Sequence, residues 1–350
     1  MKKNGLLFSV SICLLLIMVA VPLMAGCAQS APAPSKTIDL SLNLQIPPLH
    51  PRYLTMLQPW AEEIESRSGG RLHIEPFFSN ALSPAPEIYD ATVTGLSDIG
   101  EAGFGFMPGR FPLTEVAFLP RLDTINRKQS TILWELYKAF PEVQAEFGDA
   151  KILMLEQDPM QFIVSVEPIR NLEDLQGKKV MSWGKTVNRI AALGGAPVSV
   201  APGEIYSSLE KGVADALIFA LDSCKGRNIF EVATYITRVN LSFFPWVIVM
   251  NRDKYESLPR DLQKVIDQTS GDWAVQHMDE VRDQSRADVT AWGKESYNIE
   301  IIDLPQEELA RWIEADGPVR EQWVADMKAE GLPGAKVLAK WDELLEQYGE

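Results

Sequence analysis

The chain predicts an α/β fold with parallel sheets and helices on both faces. Short apolar runs alternate with amphipathic stretches in a β-α-β-α rhythm. At 350 residues, 46% of them hydrophobic, there is material for one large domain or two ordinary ones. Of three cysteines, Cys13 and Cys27 fall in or next to a leader and Cys224 is left alone. No disulfide can form within the mature chain, so the core must hold the fold.

The elements follow in order. Residues 37–45 open with alternating apolar positions at Ile38, Leu40, Leu42 and Leu44, which predicts a first strand. Pro47, Pro48 and Pro51 break it. Trp60 and Ile64 among charges predict an amphipathic helix to about Ser68. Strands are expected at 72–77, 97–101, 151–155 and 162–166, with helices at 84–94 and 127–147 between them. Residues 197–200 and 214–219 read as strands around a helix with Glu204, Tyr206 and Leu209. From Pro259 to Pro305 there is no proline, and Leu262, Ile266, Trp273, Val281, Val289 and Trp292 recur at helical spacing. That stretch is one helix of about 35 residues, or two helices broken near Gly271. Residues 306–350 read as amphipathic helices with solvated faces.

Residues 1–26 have a basic start at Lys2 and Lys3 and an apolar run over 6–24. Leu23-Met-Ala-Gly-Cys27 resembles a lipobox, in which the cysteine thiol takes a diacylglycerol, so Cys27 is the expected lipidation site. Residues 27–36 lack apolar periodicity and read as a tether. The formal charge of −15 becomes −17 when Lys2 and Lys3 leave. Such a chain is a poor partner for nucleic acid or anionic lipid headgroups.

Motif order narrows the class. Ser68-Gly-Gly-Arg-Leu-His-Ile74, Gly95-Leu-Ser-Asp98, Phe111-Pro-Leu-Thr-Glu115, Leu119-Pro120, Leu172-Glu-Asp174-Leu-Gln-Gly177-Lys-Lys179-Val180 and Leu258-Pro-Arg-Asp-Leu-Gln263 occur in that succession, with a densely patterned stretch over 195–235. Together they resemble the solute-binding proteins of tripartite ATP-independent periplasmic (TRAP) transporters, the dicarboxylate-receptor type, in a lipoprotein form. The resemblance implies a two-lobed periplasmic-binding-protein fold of type II kind, with hinge strands and a long helix bracing both lobes. Lobe I would take residues 37–158 and about 246–284; lobe II would take 159–245 and about 285–350 with the C-terminal helices. It also implies a small-molecule ligand, integral membrane TRAP subunits as partners, an extracytoplasmic location, no cofactor and no catalytic residues.

The resemblance places an arginine for a ligand carboxylate on the strand after Gly177-Lys-Lys179, where a planar guanidinium makes two parallel hydrogen bonds. Here Met181 stands at that position. Gln161 stands where some relatives carry a second arginine, and Phe219 where a polar contact is common. Trp183 lies two residues past Met181 and so shares its strand face. These side chains would line an apolar pocket; a one-residue slip of register would instead turn them into plain core. If the ligand is an acid, another cation must hold it. Arg52, in a loop fixed by prolines, is the first candidate, followed by Lys185, Arg189 and Arg110. Phe104 in the glycine-rich run 103–109, and Phe244, complete the expected lining.

His50, His73 and His277 are scattered without metal-ligand spacing and form no nucleophile-base pair. Gly103-Phe-Gly105 is not a dinucleotide fingerprint. The leading function is a lipid-tethered receptor handing an organic acid with an aromatic or apolar body to a transporter. A binding protein for a sensor or an ABC-type importer, and an extracytoplasmic enzyme, are the alternatives.

Overall fold

Two mixed β-sheets carry the chain, joined where the polypeptide passes from one to the other and back. The computed structural model describes residues 37–119, 121–122, 128–158 and 161–348, without the side chains of residues 283–286. The expected leader, tether and Cys27 lie outside the described residues. Among the described residues the strands are β1 (Ile38–Asn43), β2 (Leu72–Phe77), β3 (Ile99–Gly103), β4 (Lys151–Gln157), β5 (Gln161–Ser165), β6 (Lys179–Met181), β7 (Ala196–Val198), β8 (Ala216–Phe219), β9 (Tyr235–Ser242), β10 (Pro245–Met250) and β11 (Glu300–Asp303). The first sheet has the order β2-β1-β3-β10-β4 and the second β11-β9-β5-β8-β6-β7.

Helices cover both faces, so the strands are apolar on both sides. In β10, Val247 and Val249 face one core while Ile248 and Met250 face another. The second sheet repeats the device, with Leu217 on one face and Ala216 and Ile218 on the other. The expectation of parallel sheets holds only in part. β1 runs parallel to β2 and β3, and β6 to β7 and β8. β10, however, is antiparallel to β3 and β4, and β5 to β8 and β9. The reason is the crossing: β4 leads into the second sheet and β10 comes back from it, so these strands run opposite to each other within the first sheet.

The helix expected over 127–147 is interrupted. It runs Gln129–Ala139, then Phe140 adopts an extended conformation and Pro141 starts a short helix to Ala145. The stretch 259–305 is also two helices, Arg260–Gln268 and Asp272–Tyr297, and not one of about 35 residues. Gly271 sits at φ 58°, ψ −131°, a conformation only glycine adopts readily, and its N–H donates to Leu153 O at 2.7 Å. Trp60, fully buried, donates Nε1–H to Thr269 O at 2.8 Å, which fixes the break from the other side. The 26-residue helix after it packs on Gln129–Ala139 and β4 in the first lobe and on the helix Leu221–Gly226 in the second. Helix Gln306–Ala329 packs on Thr186–Ala192, and Gly334–Gln347 folds back onto Gln129–Ala139.

The crossing is tied by a buried ion cluster. Asp158 ends the outward passage, and its N–H donates to Phe244 O, on the return passage, at 2.9 Å. Its Oδ1 accepts from Arg52 Nη1 at 2.5 Å. Arg52 Nε donates to Glu101 Oε1 at 2.6 Å and its Nη2 donates to Glu156. Arg282, from the long helix, donates to Glu156 Oε2 at 2.7 Å. Glu101 and Glu156 are fully buried. Burial pushes the Glu101 carboxyl up to about 7 despite Arg52, with Glu156 and Asp158 pushing the same way. Removing one partner from such a cluster leaves charge without compensation. Glu156→Gln is expected to cost about 3–5 kcal/mol of stability. Lys340→Ala, which removes an exposed pair with Glu343, should cost under about 1 kcal/mol. Denaturant midpoints check both; equal losses would contradict a role for the cluster.

Candidate functional site: a closed cavity between the sheets

The segment after β1 runs through Pro47 and Pro48 to a helical turn that begins at Pro51. It brings Gln45, Ile46, His50 and Arg52 to one wall of a cavity. Phe106 and Trp246 complete that side. Across from them stand Gln161, Trp183, Pro202, Ile205, Phe219, Ser223 and Arg227 from the second lobe, with Asp158 and Phe244 at the crossing. The space free of protein atoms is about 470 Å3, part of it open to solvent. The centre of a water-sized sphere can move through only about 40 Å3 of it, so the walls stand close together.

Five aromatic rings give the cavity its apolar character. Phe244 lies 5.1 Å from Trp246 and 5.3 Å from Phe106, centroid to centroid, and Trp183 lies 6.4 Å from Phe219. Glycines make this density possible. A Cβ on Gly105 would fall 2.5 Å from Phe244 Cε2 and 3.1 Å from Trp183 Cβ. The lobes touch again where a Cβ on Gly226 would meet His50 Cδ2 at 2.8 Å and Pro51 Cδ at 2.9 Å. The two lobes are therefore in contact at both points, with no room for a side chain at either.

The polar groups differ in how far they are committed. Arg52 spends its guanidinium on three carboxylates and lays its face 4.4 Å from the Trp246 ring centroid. His50 accepts at Nδ1 from Arg52 N–H at 3.2 Å, so its neutral ring carries the proton on Nε2. Burial, with Arg227 and Arg52 nearby, pushes His50 down to about 3 and keeps it uncharged. Arg227 donates Nη1–H to Pro202 O at 2.9 Å, while its Nε is buried without a partner. Burial draws the Arg227 pKa down, and Asp158 opposes that. Trp246 Nε1 and Gln45 Oε1 are buried without partners as well. Cys224 is fully buried, and burial pushes its thiol well above the usual range, which leaves it inert.

Of the sequence-derived candidates, Arg52, Gln161, Trp183, Phe219 and Phe244 line the cavity. Met181 does not: it is fully buried in the core on β6, beside Leu217 and Val198 in the ladder. The shared face expected for Met181 and Trp183 fails because β6 ends at Met181. Ser182–Gly184 leaves the strand, with Gly184 at φ 59°, and carries Trp183 to the cavity wall. Phe104 is also core, edge-on to Phe111 at 5.0 Å and to Phe147 at 6.0 Å. Lys185 lines a neighbouring groove, which shares Phe106, Trp183 and Pro202 with the cavity, and pairs with Glu115 at 3.2 Å. Arg189 is buried against Asp316 at 2.6 Å, and Arg110 pairs with Asp90 at 2.9 Å. Arg52 is not a free cation: it stands in the first turn of a helical segment that begins at Pro51, not in a loop, and its guanidinium is taken by Glu101, Glu156 and Asp158. Sequence reasoning missed His50, Phe106, Trp246 and Arg227. For His50 the signal was present, since it shares the proline-bounded segment with Arg52; Arg227, next to Gly226, had only that glycine to mark it.

Residues 42–326 match the family model for the bacterial extracellular solute-binding proteins, family 7 (DctP). Outer membrane transporter protein TsaT of Comamonas testosteroni is 25% identical over 308 residues, 85% of this chain and 89% of its own. The ectoine-binding periplasmic protein TeaA of Halomonas elongata is 21% identical over 276 residues, 76% of this chain and 77% of its own. Among solved structures, a marine-metagenome TRAP solute-binding protein specific for aromatic acids, in complex with 3-hydroxybenzoate, superposes with a TM-score of 0.85. It covers 90% of this chain and 99% of that one at 23% identity. A TRAP solute-binding protein of Rhodoferax ferrireducens with copurified benzoate gives a TM-score of 0.83 at 25% identity, covering 89% and 98%. With its two sheets joined by crossing strands and an aromatic-lined cavity at their junction, this chain belongs to family 7 of the bacterial extracellular solute-binding proteins.

Proposed function

We propose that the protein is the extracytoplasmic receptor of a TRAP-type secondary transporter and captures an organic acid with an aromatic or apolar body by lobe closure. The observation that carries this is the cavity between the lobes, walled by Phe106, Trp183, Phe219, Phe244 and Trp246. A C4-dicarboxylate has no apolar body to set against those rings and would lose hydration there without return. A ring buried among them gains about 25 cal/mol per Å2 of apolar surface. The benzoate held by the Rhodoferax ferrireducens protein supports the same class. Asp158 also lines the cavity, but it is taken by Arg52 at 2.5 Å and so is not free to receive a cationic ligand.

In this reading lobe I comprises residues 37–158 and about 246–284, and lobe II residues 159–245 and about 285–350. The protein performs no chemistry on its ligand and passes it to integral membrane subunits. Cys27 carries the lipid that keeps it at the membrane surface.

A thermal-shift panel tests the ligand class. Benzoate, 3-hydroxybenzoate and mandelate are expected to raise the melting temperature more than succinate, malate and fumarate do. Phe219→Ala should weaken binding of the best acid about tenfold. Cys224→Ala, behind the cavity wall, should leave it within about twofold. Tight binding of a C4-dicarboxylate, insensitive to Phe219→Ala, would contradict the reading. The anchor is tested separately: Cys27→Ala is expected to release the protein from the membrane fraction, and unchanged mass and fractionation would refute lipidation.

A further inference from the structure

The geometry assigns to Arg227 the task of anchoring the ligand's carboxylate, at a position away from β6, just after the helix Leu221–Gly226. The inference rests on the reading of this cavity as a receptor site for an aromatic acid. Elimination leads to it. Each cation suggested by the sequence is committed: Arg52 to three carboxylates, Lys185 to Glu115, Arg189 to Asp316, Arg110 to Asp90 and Asp149. Met181, on β6, offers no charge. Arg227 lines the cavity and has no carboxylate within ion-pair distance among the described residues.

What Arg227 lacks is what a carboxylate supplies. Its Nη1–H is used by Pro202 O at 2.9 Å, and its Nε–H is buried with no acceptor. A buried guanidinium donor left unpaired is costly, and the cost is removed when an anion arrives. The contact to Pro202 fixes the fork while leaving one edge for the ligand. His50 adds a neutral donor close by. Its Nδ1 is occupied by Arg52 N–H, so Nε2–H is the hydrogen it has to give, and that group has no partner among the described residues. Ser223 also lines the cavity. The aromatic rings form the rest of the wall. A ligand that fits both is a flat ring bearing one carboxylate, with the ring among Trp183, Phe219 and Phe244 and the carboxylate at Arg227.

Arg227 comes from the end of the helix Leu221–Gly226 in the second lobe, and His50 from the first. Gly226 is where the lobes meet His50. An anion at Arg227 therefore sits at the seam, and its contacts with His50 form only when the lobes close. That couples recognition of the charge to closure.

Calorimetry on acids and their matched amides tests the assignment: benzoate with benzamide, 3-hydroxybenzoate with 3-hydroxybenzamide, phenylacetate with phenylacetamide. The wild type is expected to prefer the acid of the best pair by at least about tenfold. Arg227→Gln should lower affinity for that acid about 10–100-fold, the loss of a charged hydrogen-bond pair, and leave the amide within about threefold. Arg227→Lys should recover part of the acid preference, and Arg110→Gln none of the loss. A wild type that takes none of the acids overturns the ligand class. A wild type that takes an acid, with Arg227→Gln keeping its full preference over the amide, overturns the anchor alone; so does a wild type that binds acid and amide equally. If Arg227→Gln fails to fold by circular dichroism, a crystal structure of the wild type with the acid decides. A carboxylate oxygen within about 3.2 Å of Arg227 Nε supports the anchor, and a carboxylate elsewhere in the cavity overturns it.

Discussion

The crossing at Asp158 is the constraint on which the rest of the molecule depends. One residue joins three things: its N–H holds the return passage at Phe244, its carboxylate holds Arg52, and its position ends β4. Arg52, at the start of the helical segment after β1, meets Arg282 of the long helix through Glu156. Buried charges in such numbers are costly to desolvate and are tolerated only when each is matched. The matching here ties the helical turn that carries Arg52 to β3, to the end of β4 and to the long helix, and so holds Arg52 at the cavity wall.

Closure then becomes a matter of small residues at a few points. Gly105 and Gly226 stand where the lobes touch, and neither contact has space for a methyl group. The aromatic rings behind them leave little room for water, so a ligand must fill the space or the lobes must part. Hydrophobic contact with the rings supplies affinity in either lobe alone. A ligand group bound, as proposed, between His50 on one side and Arg227 on the other would be held from both lobes at once. Selectivity belongs to the second kind, because only there does a misplaced polar group meet a buried donor it cannot satisfy.

Much of the fold was legible because strand periodicity and proline positions are local signals. β1, β2 and β8 fall within a residue or two of where alternation and turn residues put them. β3 begins at Ile99 and not at residue 97, because Asp98 is used as a turn that accepts from Ser41 N–H and Oγ–H. The long helix was ambiguous because Gly271 breaks it through a backbone conformation and a hydrogen bond to Leu153, neither of which apolar spacing records. The site was legible in kind and less so in detail. Trp183, Phe219, Phe244 and Gln161 reach the cavity, whereas Met181 and Phe104 belong to the core. The difference is that Trp183 lies past the end of its strand, where alternation no longer governs. Arg227 was invisible for a related reason: what marks it is a buried Nε–H without an acceptor, which is a property of three-dimensional surroundings and not of spacing.

The central claim is that a ligand between the two sheets draws them together around it. Small-angle X-ray scattering on the mature protein, without ligand and with saturating benzoate or 3-hydroxybenzoate, measures this most directly. The account predicts a smaller radius of gyration with ligand and a profile that matches the structure described above. An identical radius of gyration in the two states, with binding verified in the same samples, would contradict it.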